Sequence, residues 1–367
     1  MGGKMKKVMI VFGTRPEAIK MAPVIKELEK SPTLIPVVVV TGQHREMLDQ
    51  VLMLFNIRVD YDLEVMKKNQ TLTHITAEIL RRLEPILQKE KPAIVLVHGD
   101  TTTTLAASIA SFYQRIPIGH VEAGLRTHQK FSPYPEEMNR VLTDRLSDYY
   151  FAPTTTAKSN LIKEGICGKS IFVTGNTSID AMKYTLSTDY SVSDLNRDRR
   201  NILVTMHRRE NIGKPMEDTF KGILKIIESF PEVQVIFPVH RNPEVRKIVQ
   251  KYFSGNEQVQ LVEPFDVKEF HKAMRDSYII LTDSGGVQEE APALNIPVLV
   301  LRDTTERGEG VISGALKVIG TNTKTVYEET HALLTNEVLY KEMSHAPNPY
   351  GDGRAANRIL DIINQQC

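Results

Sequence analysis

The chain has 367 residues, of which 41% are hydrophobic and 25% are charged, and its formal net charge is +1. This length exceeds the usual size of a single hydrophobic core and predicts two domains. The balanced charge disfavours electrostatic binding to nucleic acid or to a membrane surface. No apolar run is long enough to span a bilayer. The two cysteines, Cys167 and Cys367, lack metal-ligand spacing, which is typical of a protein of the reducing cytosol. We therefore expect a cytoplasmic protein without a metal.

Short apolar runs rich in β-branched residues alternate with helical patterns along the whole chain, which predicts doubly wound parallel sheets of the α/β class. In the N-terminal half, the predicted strands are 7–12, 35–41, 93–97, 116–121 and 170–174, and the predicted helices include 44–55 and 136–146. In the C-terminal half, the predicted strands are 202–206, 233–237, 259–262, 278–281 and 298–301, and the predicted helices are 215–230, 243–253, 267–274, 325–334 and 355–363. The polar segment 187–200 has little periodicity and predicts a linker or a surface loop.

The stretch from 281 to 307 predicts a phosphate site. An apolar strand ends there, and the turn Ser284–Gly286 leads into a helix, so backbone N–H groups and the positive end of the helix dipole can face an anion. Glu290 lies about one turn further on the same side, where a carboxylate suits ribose hydroxyls better than phosphate. The pattern indicates a nucleotide-diphosphate cradle, and an ordinary strand-to-helix turn is the alternative.

Other polar residues follow the predicted strands, where ligands collect in open parallel sheets. They are Arg15 and Lys20, Asp100, Glu122, His207 with Arg208, and His240. Together with Glu136 in the first turn of a helix, the acids and His207 suit acid/base chemistry on a nucleotide-linked substrate. We expect Asp100 and Glu122 to lie in a wet cleft rather than in the core.

Each of these residues also has a structural interpretation. Asp100 could cap the helix that follows it, Glu136 could pair with Arg140 four residues later, and His207 could belong to a solvated charged turn. The first turn, GTRPEAIK, lacks the GxGxxG fingerprint of dinucleotide sites, so neither NAD nor FAD is expected as a cofactor.

Ten motifs, in order along nearly the whole chain, resemble those of the bacterial non-hydrolysing UDP-N-acetylglucosamine 2-epimerases. They are FGTRPEAIKMAP, GQHREMLDQV, HGDTTTTLA, GHVEAGLRT, PEEMNR, VTGNT, HRREN, PVHRNP, TDSGGVQEEAP and RDTTER. The resemblance implies two Rossmann-like domains of the glycosyltransferase B type with the active site in the cleft between them. The expected domains are 1–174 and 175–352, with the last helix, 353–367, packing back onto the first.

The implied reaction interconverts UDP-N-acetylglucosamine and UDP-N-acetylmannosamine without a cofactor. UDP is eliminated to leave a 2-acetamidoglucal and then adds back, and the product supplies cell-envelope polysaccharide synthesis. The resemblance also implies a homodimer. A hydrolysing epimerase, a glycosyltransferase of the same fold and a catalytically inactive nucleotide-sugar sensor are the alternatives.

The resemblance further implies roles for individual residues. The implied catalytic residues are Asp100, Glu122, Glu136 and His207, and which carboxylate takes the C2 proton stays open. The implied substrate-binding residues also include Arg15, Lys20, Phe265, Phe270, Ser284, Gly285, Gly286, Glu290 and Arg307. A second, regulatory UDP-N-acetylglucosamine is implied at Gln43, His44, Glu136, Arg208 and His240, although Asn69 stands where an arginine is expected in activated members.

Overall fold

A computed structural model of the chain describes residues 5–42, 45–67, 70–187 and 199–366. The chain divides into two compact units: unit 1 comprises Met1–Ala181 and Gly351–Cys367, and unit 2 comprises Met182–Tyr350. The first division lies inside a helix, Thr177–Leu186, seven residues beyond the expected boundary after residue 174. The predicted linker 187–200 lies largely outside the described residues.

Unit 1 is built around a parallel sheet with helices on both faces. Its strands are β1 (Lys6–Phe12), β2 (Leu34–Val40), β3 (Tyr61–Asp62), β4 (Ile94–His98), β5 (Ile118–Val121), β6 (Tyr149–Ala152) and β7 (Ile171–Val173). The helices are α1 (Arg15–Glu29), α2 (Arg45–Leu54), α3 (Leu72–Glu90), α4 (Thr102–Tyr113), α5 (Glu136–Leu146), α6 (Thr155–Lys163) and α7 (Thr177–Leu186). The strand order β3-β2-β1-β4-β5-β6-β7 reverses between β1 and β4, and ligands of such sheets bind at that reversal.

Unit 2 repeats this architecture with a six-stranded parallel sheet. Its strands are β8 (Arg200–Thr205), β9 (Val233–Pro238), β10 (Val259–Val262), β11 (Ile279–Thr282), β12 (Val298–Val300) and β13 (Leu316–Val318). The helices are α8 (Lys214–Ser229), α9 (Pro243–Phe253), α10 (Val267–Arg275), α11 (Gly285–Glu290), α12 (Gly308–Ile312), α13 (Thr323–Thr335) and α14 (Glu337–Ser344). The order β10-β9-β8-β11-β12-β13 reverses between β8 and β11, so each unit has one reversal point.

The last helix, α15 (Ala355–Gln366), belongs to unit 1. Its first backbone N–H groups are capped from α7, because the Asp180 carboxylate accepts from Ala355 N at 3.2 Å and from Ala356 N at 2.9 Å. Ile359 and Ile363, one turn apart, are buried in the core that covers one face of the sheet. The helix is thus fixed by both packing and capping.

The two parallel sheets confirm the predicted fold class, and each predicted strand overlaps an observed one. Central strands such as β1 and β4 are buried on both faces, which explains why they read as continuous apolar runs. The sequence analysis missed β3, β6, α6, α7, α12 and α14. No helix in the described ranges is long and apolar enough to cross a membrane.

Candidate active site

The carboxyl ends of β4 and β5 bring together two predicted acids of unit 1 and two cations. Asp100 follows β4 and Glu122 follows β5, while Lys20 comes from α1 and Arg140 from α5. Lys20 Nζ pairs with Glu122 Oε2, and the Arg140 guanidinium pairs with Asp100 Oδ2. The same Arg140 nitrogen lies 3.4 Å from Glu122 Oε1. The four side chains therefore form one alternating network of charges at the reversal point of the sheet.

Glu122 is held in an unusual backbone conformation. Its φ of 67° lies in the left-handed region that residues with a Cβ seldom adopt. Arg140 fixes this turn by donating a hydrogen bond of 2.5 Å to the Glu122 carbonyl oxygen. Only 8% of the residue is exposed, so the expectation of a wet cleft is wrong for Glu122. The two cations allow the carboxylate to be buried.

The electrostatics of this network keep Glu122 ionised. Burial raises the pKa of its carboxyl, but Lys20 and Arg140 outweigh burial and hold the pKa well below its usual range. Burial also lowers the pKa of the neighbouring His98 to about 3, so this imidazole is neutral at pH 7. Movement of either cation away from Glu122 would raise the pKa of this carboxyl and make it a better proton acceptor.

Asp100 is the more accessible acid, since 32% of its side chain is exposed. The capping alternative is wrong, because Thr101 caps α4 by accepting from Thr104 N at 3.1 Å. Asn139 from α5 donates to the Asp100 carbonyl at 2.9 Å. Arg140 pairs with Asp100 and Glu122 rather than with Glu136, the first residue of α5.

Glu17 builds the turn that carries the first part of this site. Its buried carboxylate accepts hydrogen bonds from Gly13 N at 3.0 Å, Thr14 N at 2.8 Å and Thr101 Oγ1 at 2.7 Å. Burial raises the pKa of this carboxyl, against the effect of its donors. A Cβ on Gly13 would overlap Thr41 Oγ1, so only glycine fits where β1 turns into α1. Arg15, half-buried, begins α1 at this point.

In unit 2, a cavity of about 260 Å³ lies at the carboxyl ends of β8, β9 and β11. It brings together six of the predicted substrate-binding residues, and these are His207, Phe265, Phe270, Ser284, Gly286 and Glu290. His240 also lines it and stacks on His207, with ring centroids 5.5 Å apart. Burial, and then His207, lower the pKa of His240. The cavity joins aromatic walls, backbone N–H groups and one carboxylate, as a nucleotide site requires.

A fully buried carboxylate, Asp283, organises the turns around this cavity. Its Oδ2 accepts from His207 N at 2.9 Å, Arg208 N at 2.9 Å and Asn211 Nδ2 at 3.0 Å. Its Oδ1 lies 3.4 Å from His207 Nδ1. Asp283 thereby ties the turn after β8 to the end of β11.

Arg307 lies against the start of α11. Its guanidinium pairs with Glu289 at 2.9 Å and with Glu306 at 2.7 Å. A Cβ on Gly285 would come within 3.0 Å of the Arg307 guanidinium carbon. The small glycine therefore leaves room for the Arg307 guanidinium beside the first turn of α11, and a guanidinium is a group that can donate hydrogen bonds to a diphosphate.

The remaining predicted residues are more dispersed. Arg208 donates to the Asp283 carbonyl at 3.0 Å and lies 3.3 Å from both Glu210 and Glu306. Gln43, His44 and Asn69 lie outside the described residues. Within the described ranges, no cluster of three or more His, Cys, Asp or Glu residues could hold a metal ion.

A family model for UDP-N-acetylglucosamine 2-epimerase matches residues 26–364. The chain belongs to this family. The UDP-N-acetylglucosamine 2-epimerase of Bacillus subtilis strain 168 is 56% identical over 362 residues, which cover 98% of this chain and 95% of the relative. The structure of S. aureus MnaA with UDP is 52% identical, with a TM-score of 0.88 over 98% of this chain and 96% of that one.

Similarity extends to a family structure with a nucleotide sugar bound. The UDP-GlcNAc 2-epimerase from Neisseria meningitidis, solved with UDP-GlcNAc, is 48% identical, with a TM-score of 0.88, and the match covers 98% of this chain and all of that one. Membership of the epimerase family confirms the resemblance drawn from the ten motifs.

Sequence reasoning missed several residues that support the epimerase motifs. Asn139 in PEEMNR was not considered, and Arg140 in the same motif was considered only as a partner of Glu136. Asp283 stands in TDSGG just before the predicted phosphate turn. Glu17 stands in FGTRPEAIKMAP, a motif in which only Arg15 and Lys20 were identified as site residues. A polar or charged residue directly after an apolar strand, or inside a motif, was the signal available for each of them.

Proposed function

We propose that this chain is an isomerase that interconverts UDP-N-acetylglucosamine and UDP-N-acetylmannosamine as a non-hydrolysing 2-epimerase. The observation that carries the proposal is the charge network of Lys20, Glu122, Arg140 and Asp100, which supplies two carboxylates and two cations. It occurs in a chain that is 56% identical to a curated UDP-N-acetylglucosamine 2-epimerase. A binding protein would not need acids held in this way.

Unit 2 supplies the features that suit the UDP part of the substrate. Ser284 and Gly286 line the cavity at the first turn of α11, Arg307 adds a cation there, and Glu290 offers a carboxylate to ribose hydroxyls. Phe265 and Phe270 give the cavity an apolar wall for the base. The expectation that both units share one cleft stays a prediction.

The chemistry of the reaction matches these groups. The proton at C2 is weakly acidic, so its removal needs a positioned base, and the departing diphosphate needs cations and N–H donors. Elimination breaks the C2–H and C1–O bonds and leaves a 2-acetamidoglucal and UDP. Return of a proton to the other face of C2 and re-addition of UDP at C1 complete the epimerisation. Asp100 and Glu122 are the proposed acid/base residues, with Glu136 a further candidate.

Product analysis tests this function directly. Purified protein, treated with a chelator and given UDP-N-acetylglucosamine without NAD or metal, should form the C2 epimer as a nucleotide sugar. Free N-acetylmannosamine with UDP would instead indicate a hydrolysing epimerase, and turnover only with an added acceptor would indicate a glycosyltransferase. Binding without turnover would indicate a sensor. Activity that needed a divalent cation would contradict the expected absence of a metal.

We also propose a cytoplasmic location and a role in cell-envelope polysaccharide synthesis, both of which rest on the sequence analysis and on the proposed substrate. The homodimer stays a prediction that the molecular mass in solution would test. The regulatory site at Gln43, His44, Glu136, Arg208 and His240 likewise stays a prediction, because the first two lie outside the described residues.

A further inference from the structure

Two buried histidines on neighbouring strands of unit 1 differ in their partners. His120 on β5 has no exposed surface, and both ring nitrogens are engaged, Nδ1 with Asp144 at 2.6 Å and Nε2 with the Gly99 carbonyl at 2.8 Å. Arg126 pairs with the other oxygen of Asp144 at 2.6 Å. His120 is therefore explained by structure alone, since its ring joins β5 to the turn after β4 and to α5.

His98, the last residue of β4, is almost as buried, with 4% of its surface exposed. Among the described residues, neither of its ring nitrogens makes a hydrogen bond. A buried polar group without a partner is costly and needs an explanation. An apolar side chain of similar size would pack at this position without that cost, so packing does not explain a histidine here.

The His98 ring faces the charge network of the candidate active site. Its Nε2 lies 3.7 Å from Glu122 Oε2, just beyond hydrogen-bond distance. Lys20 Nζ pairs with that same oxygen. The other charged groups facing the ring are Arg140 and Asp100. Because the low pKa leaves His98 neutral, the ring offers one N–H donor and no charge.

We propose that His98 is a positioning residue that donates a hydrogen bond to Glu122 Oε2 when Lys20 turns from Glu122 to the substrate. The inference rests on the proposed function, in which Lys20 contacts the nucleotide sugar. A buried carboxylate that lost Lys20 without a replacement would be left poorly solvated. A shift of roughly half an ångström to one ångström brings Nε2 within hydrogen-bond range.

This exchange suits the task of Glu122 in the reaction. A cation on Oε2 keeps the carboxylate a weak base, whereas a neutral N–H keeps it aimed with less loss of basicity. His98 itself neither gains nor loses a proton in this step. Because it acts through Glu122, removing it should lower kcat and change KM little.

Three substitutions separate a positioning role from a structural one. His98→Leu removes both nitrogens, His98→Gln places an amide nitrogen near the position of Nε2, and His98→Asn places one near Nδ1. We expect kcat to fall roughly 10- to 100-fold in His98→Leu, the usual effect of losing a hydrogen bond to a charged group. His98→Gln should recover most of this loss and His98→Asn should not. KM for UDP-N-acetylglucosamine should stay within about threefold in all three.

A double-mutant cycle with Glu122→Gln tests whether His98 acts through Glu122. The variant carrying both His98→Leu and Glu122→Gln should be about as slow as Glu122→Gln alone, because each change removes the same interaction. The inference would be overturned if the fold-losses in kcat of the two single variants multiplied in the double variant. An equal loss of kcat in His98→Gln and His98→Asn would also overturn it. If His98→Leu does not fold, the comparison of the Gln and Asn variants decides the question. Failure of the wild type to epimerise would refute the proposed function instead, so the two failures are distinct.

Discussion

Each unit holds a buried carboxylate directly after a strand of its sheet, Glu122 after β5 and Asp283 after β11, yet the two are satisfied in opposite ways. Glu122 in unit 1 is paired with two cations, Lys20 and Arg140. Asp283 in unit 2 accepts three N–H groups on one oxygen, and two of them belong to the main chain. A carboxylate bound by backbone N–H groups is part of the scaffold, because those donors cannot leave. A carboxylate paired with mobile side chains can change partners during a reaction.

The largest expected effect follows from removing the charge of Glu122 in unit 1. Glu122→Gln keeps the shape but removes the charge, so kcat should fall roughly 10²- to 10⁴-fold, the usual contribution of a positioned acid or base. UDP affinity, measured by calorimetry, should be nearly unchanged, because the UDP-binding residues belong to unit 2. Asp100→Asn is the matched variant and should fall in the same range. Near-normal turnover in either variant would return that residue to a structural role.

Removing Asp283 from unit 2 should lower stability and UDP binding, because this carboxylate belongs to the scaffold. Asp283→Ala leaves three donors without their acceptor, and two of them, His207 N and Arg208 N, are main-chain groups. The free energy of unfolding should therefore fall by about 3 kcal/mol, and UDP binding should weaken because His207 and the turn after β8 lose their anchor. Denaturant titration measures the first effect and calorimetry the second. A variant with wild-type stability but no turnover would show that Asp283 takes part in the chemistry, and would contradict the contrast with Glu122.

These two carboxylates also show what the sequence predicts and what it leaves out. The apolar runs predict the strands, and a polar residue directly after such a run predicts a position at the ligand-binding edge, which identified Glu122 and Asp100. Partners distant in sequence were not predictable: Arg140 reaches Asp100 across 40 positions, whereas the local rule suggested Glu136, four positions away. The burial of Glu122 was missed for the same reason, since it depends on Lys20 and Arg140.

The elements that the sequence analysis missed are short or weakly patterned. β6 has the sequence YYFA, which lacks the β-branched residues that marked predicted strands of the same length such as β5 and β11. Asp283 was visible in TDSGG, but its function depends on donors 72 to 76 positions earlier in the chain. Contacts of that separation come from the topology of the sheet and not from local sequence.

A smaller effect is expected at the cavity beside Asp283. Glu290→Ala should weaken UDP binding by about tenfold, as loss of a hydrogen bond to a charged group does, and kcat at saturating substrate should change little. Glu290→Gln should lie between it and the wild type, because the amide oxygen still accepts a hydrogen bond. Ser284→Ala should have the mildest effect, since the backbone N–H groups of the turn remain. A fall in kcat with unchanged UDP affinity would contradict the assignment of Glu290 and Ser284 to UDP binding.

The smallest expected effect concerns regulation. If the predicted second site at Gln43, His44, Glu136, Arg208 and His240 functions, the reverse reaction from pure UDP-N-acetylmannosamine should begin with a lag that a trace of UDP-N-acetylglucosamine removes. Arg208→Lys, which keeps the charge but loses the bidentate geometry, should lengthen the lag. Progress curves that are linear from the start, and that do not respond to the added epimer, would exclude the site.

The central claim is that the Glu122 network serves proton transfer at C2 of a nucleotide sugar. We would measure it by incubating the wild type with UDP-N-acetylglucosamine in heavy water and following C2 by proton nuclear magnetic resonance. The account predicts that the C2 proton signal is lost from both epimers as deuterium enters from solvent, and that Glu122→Gln slows this exchange in step with epimerisation. Formation of the epimer with its C2 proton retained would contradict the account.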